Sequence, residues 1–526
     1  MQTSSYVAKP SCSLHIYKLL PSLHVSSSIY HQNTHNMVKL AHLLVATFGA
    51  LLVLNGCLAR QSLGVPPQIG NACNLDNLDV LQPTETIKSE AGRVEYWDHN
   101  NPQIRCAGVS VSRVIIEQGG LYLPTFFSSP KISYVVQGMG ISGRVVPGCA
   151  ETFMDSQPMQ GQQQGQQGQQ GQQGQQGQQG QQGQQQQGFR DMHQKVEHVR
   201  HGDVIAITAG SSHWIYNTGD QPLVIICLLD IANYQNQLDR NPRTFRLAGN
   251  NPQGGSQQQQ QQQQQNMLSG FDPQVLAQAL KIDVRLAQEL QNQQDSRGNI
   301  VRVKGPFQVV RPPLRQPYES EQWRHPRGPP QSPQDNGLEE TICSMRTHEN
   351  IDDPARADVY KPNLGRVTSV NSYTLPILQY IRLSATRGIL QGNAMVLPKY
   401  NMNANEILYC TQGQARIQVV NDNGQNVLDQ QVQKGQLVVI PQGFAYVVQS
   451  HQNNFEWISF KTNANAMVST LAGRTSALRA LPLEVLTNAF QISLEEARRI
   501  KFNTLETTLT RARGGQPQLI EEIVEA

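Results

Sequence analysis

The amino-acid sequence predicts a mainly β protein built from two degenerate copies of one barrel or sandwich domain, each followed by a short helical arm. Two segments, Gly108–Leu247 and Arg366–Leu471, carry short strand-like runs separated by Gly, Pro, Asn and Asp. This rhythm is typical of all-β domains. The chain of 526 residues is also too long for one ordinary hydrophobic core. We therefore expect two related folding units.

Two pairs of motifs indicate the duplication. Ser-Tyr-Val-Val-Gln-Gly at 133–138 corresponds to Leu-Tyr-Cys-Thr-Gln-Gly at 408–413, and the strand-like run from Gly202 corresponds to the one from Gly435. Each copy is followed by Leu-Ala-Gly and then by a helical pattern, in which equivalent apolar residues lie 210 positions apart. An arm outside a closed barrel has an apolar face to bury, so we expect the arms to mediate contact between subunits.

These patterns divide the chain into six parts. They are a leader at 1–59 with a signal-peptide core at 37–59, a first barrel at 60–250 with a disordered Gln/Gly insert at 160–188, a Gln tract and first helical arm at 251–305, a Pro/Arg/Gln-rich linker at 306–336, a second barrel at 337–473, and a second helical arm with the C-terminal tail at 474–526.

The leader has the features of a secretory signal peptide. Lys39 precedes the apolar run 43–54, and small residues lead to a predicted cleavage between Ala59 and Arg60. The run is shorter than the ~20 apolar residues that a transmembrane helix needs. Whether translation starts at Met1 or at Met37 is open. We expect the mature chain to pass through an oxidising compartment and to have no membrane contact after signal removal.

The charge of the mature chain argues against two classes of partner. The full sequence has a formal charge of +3, and the predicted leader contains three lysines and no acidic residue, so the chain from Arg60 onward has 39 basic and 39 acidic residues. A neutral chain has no electrostatic reason to bind nucleic acid or an anionic membrane.

Six cysteines remain after the leader is removed. Cys227 and Cys410 lie in apolar runs, and we expect them to be buried free thiols. The other four, Cys73, Cys106, Cys149 and Cys343, are flanked by polar or turn-forming residues and can form two disulfides. Three pairings are possible from the sequence alone.

Both β segments resemble the cupin family, which implies double-stranded β-helix (jelly-roll) barrels. Cupin enzymes hold a metal with three His and one Glu in the pattern Gly-x5-His-x-His-x3-4-Glu-x6-Gly, followed by Gly-x5-Pro-x-Gly-x2-His-x3-Asn, a ligand set that suits iron, manganese or zinc. Counting from the fixed glycines places other residues at most of these positions. The residues at these positions are Phe126, Ser128, Lys131 and His213 in the first copy, and Lys399, Asn401, Glu406 and Tyr446 in the second, so that only His213 and Glu406 keep the ligand type.

One residual ligand in each barrel cannot build a metal site. The sequence therefore predicts no catalytic residues, no metal and no cofactor, and the protein is not expected to be an enzyme. The enzyme-class alternative is a metal-dependent cupin such as a germin-like oxidase. A further alternative is a binding module that keeps an apolar cavity near His213 or Glu406.

A closer resemblance appears at Asn336-Gly337-Leu-Glu-Glu-Thr-Ile-Cys343, which is similar to the processing signature of the legumin-type 11S globulins. The likeness extends over most of Gln61–Ala526, apart from the Gln inserts. It implies a seed storage protein that serves as a nitrogen and amino-acid reserve. It also implies that an asparaginyl endopeptidase cuts between Asn336 and Gly337.

The same resemblance implies how the chains are joined and assembled. Cys73 would pair with Cys106, and Cys149 with Cys343 across the cut. Protomers would form a homotrimer in the endoplasmic reticulum and a homohexamer after cleavage, and would be deposited in the protein storage vacuole. One departure concerns charge, because residues 60–336 carry 22 basic and 22 acidic residues and residues 337–526 carry 17 of each. In the family the first product is usually acidic and the second basic.

Overall fold

The computed structural model describes residues 73, 75–149, 153–154, 192–194, 196–250, 265–291, 295–307, 309 and 342–512. The predicted cleavage sites at Ala59–Arg60 and Asn336–Gly337 lie outside the described residues, as does most of the Gln/Gly insert.

The first barrel consists of two antiparallel sheets. One has the strand order β1-β2-β3-β12-β5-β10-β15, and the other has the order β13-β4-β11-β6-β9 with β14 also paired to β4. A separate hairpin pairs β7 with β8. The strands are β1 Glu85–Ser89, β2 Gly92–Tyr96, β3 Val109–Ile116, β4 Gly120–Phe127, β5 Lys131–Gln137, β6 Met139–Val145, β7 Phe153–Met154, β8 Met192–His193, β9 Val196–Arg200, β10 Asp203–Ile207, β11 Ser212–Asn217, β12 Leu223–Asp230, β13 Thr244–Arg246, β14 Ile300–Arg302 and β15 His348–Asn350.

The second barrel is one antiparallel sheet of ten strands. Two long strands, β20 and β23, run through it and pair with each other along most of their length. The strands are β16 Val359–Lys361, β17 Gly365–Val370, β18 Ser384–Leu390, β19 Ala394–Asn401, β20 Glu406–Val420, β21 Asn426–Gln433, β22 Leu437–Ile440, β23 Ala445–Lys461, β24 Val468–Thr470 and β25 Leu509–Arg511. The mainly β fold with two barrels is thus confirmed.

The two barrels share a hydrophobic core. On β5 the side chains of Ile132 and Tyr134 point out of the first barrel and belong to this shared core, together with Ile407 and Tyr409 of β20. Residues of the opposite parity, such as Leu408, fill the interior of the second barrel instead. Because successive side chains point to opposite faces of a strand, strands that are buried on both faces have continuous apolar sequences.

Two segments cross from one barrel to the other. β15 lies downstream of the linker, yet it pairs with β10 of the first barrel, with Val204 opposite Glu349. In the other direction, Leu81 exchanges two backbone hydrogen bonds with Leu437 of the second barrel, at 2.8 and 2.9 Å. The predicted division, which placed all of 337–473 in the second barrel, therefore assigns 348–350 to the wrong sheet, because strand pairing across the shared core decides its position.

Helices occur at the barrel junction and in both arms. The junction helices are Pro102–Ala107 and Leu378–Ile381. The first arm contains a 3₁₀ turn at Met267–Gly270 and helices at Pro273–Leu280 and Val284–Gln291, and the second contains helices at Ala477–Ala480, Leu483–Phe490 and Leu494–Phe502. A further 3₁₀ turn spans Pro354–Arg356. Within the described residues no helix is both long and apolar enough to span a membrane.

The two arms end their corresponding helices in the same way. Lys281 and Gln491, which are 210 residues apart, both adopt the left-handed conformation, with φ of 55° and 54°. At the helix starts, the Asp272 side chain accepts hydrogen bonds from two backbone N–H groups, and Ser493 forms a capping box with Glu496. These caps satisfy backbone donors that a helix end leaves unpaired.

Among the described cysteines there are two disulfides, Cys73–Cys106 and Cys149–Cys343. These are the pairs that the 11S globulin resemblance implies. Cys227 and Cys410 are free and buried, as the apolar runs predict.

Gly388 is expected to allow the close packing of β18 against the Trp457 side chain on β23. It lies opposite Trp457, and a Cβ at this position would overlap the indole ring, which is buried. We expect Gly388→Ala to destabilise the protein by about 1–3 kcal/mol in urea unfolding, because the core cannot accommodate the added methyl group. In the matched variant Gly270→Ala the added Cβ meets no atom within 4 Å. Equal stabilities of the two variants would contradict this packing.

Candidate functional site

The strand register of the second barrel gathers its predicted ligand positions into one buried cluster. Lys399 lies opposite Tyr446, and Glu406 lies opposite Lys461. Asn401 is on the same strand as Lys399 and points to the same side, two residues further on. Each of these five side chains is at most 6% exposed.

The Glu406 carboxylate is the centre of this cluster. The Asn401 Nδ2 group and the Tyr446 hydroxyl both donate hydrogen bonds of 2.7 Å to Glu406 Oε2. Lys461 Nζ lies 3.9 Å from the same oxygen. Lys399 Nζ lies over the Tyr446 ring, 5.2 Å from its centroid. Three of the four positions that hold metal ligands in a cupin enzyme thus form a hydrogen-bonded ion cluster.

Burial and charge have opposite effects on the pKa of Glu406. Burial alone would raise this pKa, but Lys461, Lys399 and the hydrogen bond from Asn401 lower it to about 2. Burial lowers the pKa of Lys399 from 10.5 to about 8, although Glu406 acts in the opposite direction. Burial, together with Glu406, raises the pKa of Tyr446 well above 10. At neutral pH the cluster therefore has one carboxylate, a neutral phenol and lysines that surround the carboxylate.

The first barrel has the opposite charge at the position of Glu406. Lys131 begins β5 as Glu406 begins β20, and its partner on β12 is Leu229, where the second barrel has Lys461. Lys131 Nζ lies 3.0 Å from His213 Nε2. Burial lowers the pKa of His213 well below 6.5, and Lys131 and Arg144 lower it further. The imidazole is therefore neutral, and its Nε2 accepts the hydrogen bond from Lys131.

Two of the predicted first-barrel positions are wrong by one residue. Phe126 points away from the barrel interior and stacks on Phe245, with 4.9 Å between ring centroids. Thr125 is fully buried and lies directly opposite His213, as Lys399 lies opposite Tyr446. The inward positions are consequently Thr125 and Phe127, and not Phe126 and Ser128. Because side chains alternate along a strand, an error of one residue moves both positions to the other face.

Lys131 is accommodated by aromatic rings. Its Nζ lies 5.0 Å from the centroid of Phe127 and 6.0 Å from that of Tyr122. A cation–π contact contributes about 0.5–2 kcal/mol. Removing an ammonium ion from water costs several kcal/mol even after the protein relaxes. The rings therefore offset only part of the cost of burying this charge.

The residues present do not fit a metal ion. The first-barrel cluster offers one imidazole beside an ammonium group, and the second offers one carboxylate between two lysines. A cation would be repelled at both positions. Across the described ranges, no group of three His, Cys, Asp or Glu side chains is arranged to hold a metal.

Sequence reasoning missed Lys461, Thr125 and Phe127. Lys461 directly follows the mostly apolar run Trp457-Ile-Ser-Phe460, and this position was a signal for a buried charge. Aligning the two copies at Pro124 and Pro398, and not at the flanking glycines, would have made Thr125 equivalent to Lys399 and Phe127 equivalent to Asn401.

Glu406→Gln is expected to destabilise the second barrel by about 3–5 kcal/mol at pH 7, because two buried lysines lose their carboxylate. The folded pKa of Glu406, about 2, is below its ordinary value of 4.5. Its contribution is therefore complete above pH 4.5 and is lost as the pH falls toward 2. Urea unfolding of wild type and variant across this range should show the two stabilities converging.

Lys399→Met is the matched control. Its lowered pKa shows that burial disfavours the charged form, so removal of this charge should leave the stability at pH 7 unchanged or higher. A Glu406→Gln variant as stable as wild type at pH 7 would show that the carboxylate does not hold the cluster together.

Comparisons with known proteins agree with this geometry. The cupin family model matches residues 78–253 and 349–498. Cruciferin CRU1 of Brassica napus is 95% identical over 510 residues, covering 93% of this chain and all of the relative. The 12S seed storage protein CRC of Arabidopsis thaliana is 80% identical over 528 residues, with 93% of this chain and all of the relative covered.

Solved structures show the same relationship. The crystal structure of procruciferin, an 11S globulin from Brassica napus, is 55% identical, has a TM-score of 0.72 and covers 85% of this chain and all of the other. The structure of pumpkin seed globulin is 38% identical with a TM-score of 0.70, and covers 84% of this chain and all of the other. The chain therefore belongs to the cupin superfamily and, within it, to the legumin-type 11S globulin family of seed storage proteins.

Proposed function

We propose that this seed storage protein is made as a proprotein, is cut between Asn336 and Gly337 by an asparaginyl endopeptidase, and is stored as a hexamer of disulfide-linked chain pairs. Its role is to supply nitrogen and amino acids. The observation that carries the proposal is the Cys149–Cys343 disulfide, which links residues 194 positions apart on either side of the proposed cut.

Two further features would hold the products together after cleavage. β15, from the second product, pairs with β10 in the first barrel. Leu78 and Leu81, from the first product, make backbone hydrogen bonds with the second barrel. Each product would thus contribute to both barrels, and separation would require the shared core to open. This supports association through packing, in a protein whose two products have no net charge.

The residues at the cupin metal-ligand positions of both barrels support a storage role. In both barrels the positions of the cupin metal ligands are filled by residues that pair with one another or pack on aromatic rings. Catalysis by a cupin requires open coordination positions on a metal. We therefore propose that the protein is not an enzyme and needs no cofactor.

The helical arms support assembly into a trimer. Each arm keeps large apolar side chains exposed on the isolated chain, including Val275 and Leu280 in the first arm and Val485, Phe490 and Ile500 in the second. A monomer rarely leaves such a stretch exposed unless another surface covers it. Because the two arms are related copies on one protomer, the arm of one subunit can meet the other arm of its neighbour and close a ring.

The route to the storage compartment follows from the leader and the disulfides. Disulfides form in oxidising compartments, and the described part of the chain contains Cys73–Cys106 and Cys149–Cys343. We propose that the signal peptide is removed between Ala59 and Arg60, that the trimer forms in the endoplasmic reticulum, and that the hexamer forms in the storage vacuole after cleavage.

Asn336→Gln should prevent processing. With purified asparaginyl endopeptidase, wild type should give two bands on a reducing gel and one on a non-reducing gel. The variant should remain a single chain under both conditions and should stay a trimer in light scattering, because the cut is required for stacking. Ser332→Ala, in the same linker, should be cut as wild type is. Two reduced bands from Asn336→Gln would place the cut elsewhere.

Phe490→Asp should break the trimer. The ring is 53% exposed in the single chain, and a carboxylate in an apolar contact would remain without a partner. We expect a monomer by size-exclusion chromatography with light scattering, with an unchanged far-UV circular dichroism spectrum. Asn488→Asp adds the same charge at a polar position of the same helix and should remain a trimer. If both variants remain trimers, this helix lies outside the interface.

A further inference from the structure

The first barrel contains a small, partly open cavity beside its buried lysine. The cavity has a volume of about 40 Å³. Among its lining residues are Tyr122, Phe127, Lys131, Cys227 and Thr244. One water molecule needs about 10–15 Å³ on the same measure. The space is therefore larger than one water needs, and is large enough for a halide or a carboxylate the size of formate.

The buried ammonium group beside this cavity has a neutral acceptor but no anionic partner among the described residues. Lys131 is 5% exposed, and the hydrogen-bond partner that the structure gives its ammonium group is the neutral His213 ring. When Nε2 of that ring accepts from Lys131, the ring proton must be on Nδ1. A backbone hydrogen bond with Thr125 also acts on this buried ring, so Lys131 is the charged donor that lines the cavity. None of the described Asp or Glu side chains forms an ion pair with Lys131.

The second barrel shows what the first one lacks. At the position of Lys131 it has Glu406, which accepts hydrogen bonds from Asn401 and Tyr446 and lies between Lys399 and Lys461. That barrel therefore contains its own anion. In the first barrel the carboxylate is replaced by a cation, Leu229 takes the place of Lys461, and a cavity lies next to the unpaired charge.

We propose that the cavity of the first barrel binds one small monovalent anion, a halide or a formate-sized carboxylate, in contact with Lys131. The anion is taken up from solution and provides the negative charge that the Glu406 side chain provides in the second barrel. Aromatic walls and the small volume exclude bulky anions. This inference concerns the interior of the first barrel and does not depend on the proposed cleavage or assembly.

Crystals of the full chain grown or soaked in sodium bromide test the proposal directly. We expect an anomalous bromide peak in contact with Lys131 Nζ, and its replacement by formate when formate is present in excess. Lys131→Met removes the charge while keeping the length of the side chain, and its crystals should lack the peak. Density for water alone beside Lys131 in bromide-soaked wild-type crystals would overturn the proposal.

Thermal unfolding provides a second measurement that does not require crystals. At constant ionic strength, replacing gluconate by bromide or formate should raise the midpoint of wild type in a saturable manner, because a ligand that binds only the folded state stabilises it. Lys131→Met should lose the saturable component, and Lys399→Met in the second barrel should retain it. Equal responses of wild type and Lys131→Met to these anions would contradict a site at Lys131.

Discussion

One sheet of the first barrel packs against the sheet of the second barrel, and this apolar contact constrains both barrels at once. Its side chains come from alternate positions of the central strands, such as Tyr134 on β5 and Tyr409 on β20. The remaining positions of these strands fill the two barrel interiors. A residue on these strands therefore cannot shift without disturbing two cores, because both faces are close-packed.

At the edge of this contact, polar groups fix the relative position of the sheets. Arg113 donates a hydrogen bond of 2.9 Å to the Tyr409 hydroxyl group and also pairs with Glu95. Trp97 packs edge-on against the Tyr409 ring. Arg113 and Tyr409 line an open cavity of about 290 Å³, so the charge of Arg113 is partly hydrated where the apolar contact ends. The hydrogen bonds restrict sliding of one sheet over the other, which apolar packing alone does not prevent.

Inside the barrels, the scaffold that holds metals in cupin enzymes contains buried charged side chains that contact neighbouring charged, polar or aromatic groups. The second barrel compensates Glu406 with lysines and hydrogen-bond donors, and the first barrel holds Lys131 against His213 and two aromatic rings. Buried ion clusters of this kind often contribute little net stability, because desolvation offsets attraction. Their effect here is to occupy the positions from which a metal would be bound.

The sequence by itself determined the class of fold, the duplication, the helical arms with their caps, and the loss of the ligand set. These follow from local patterns: strand-like runs between turn residues, a constant offset of 210, and counted spacings from fixed glycines. The apolar runs around Cys227 and Cys410 also identified buried thiols, because a strand covered on both faces has no polar positions.

Only the tertiary structure decided which residues share a face and which charges meet. Counting from glycines placed Phe126 inside, whereas pairing of β4 with β11 places Thr125 there, since one residue of register reverses every side chain. The partnership of Glu406 with Lys461, 55 positions along the chain, and the pairing of β15 with the first barrel depend on strands that are distant in sequence. Local patterns contain no information on such contacts, because they form only when the two sheets pack together.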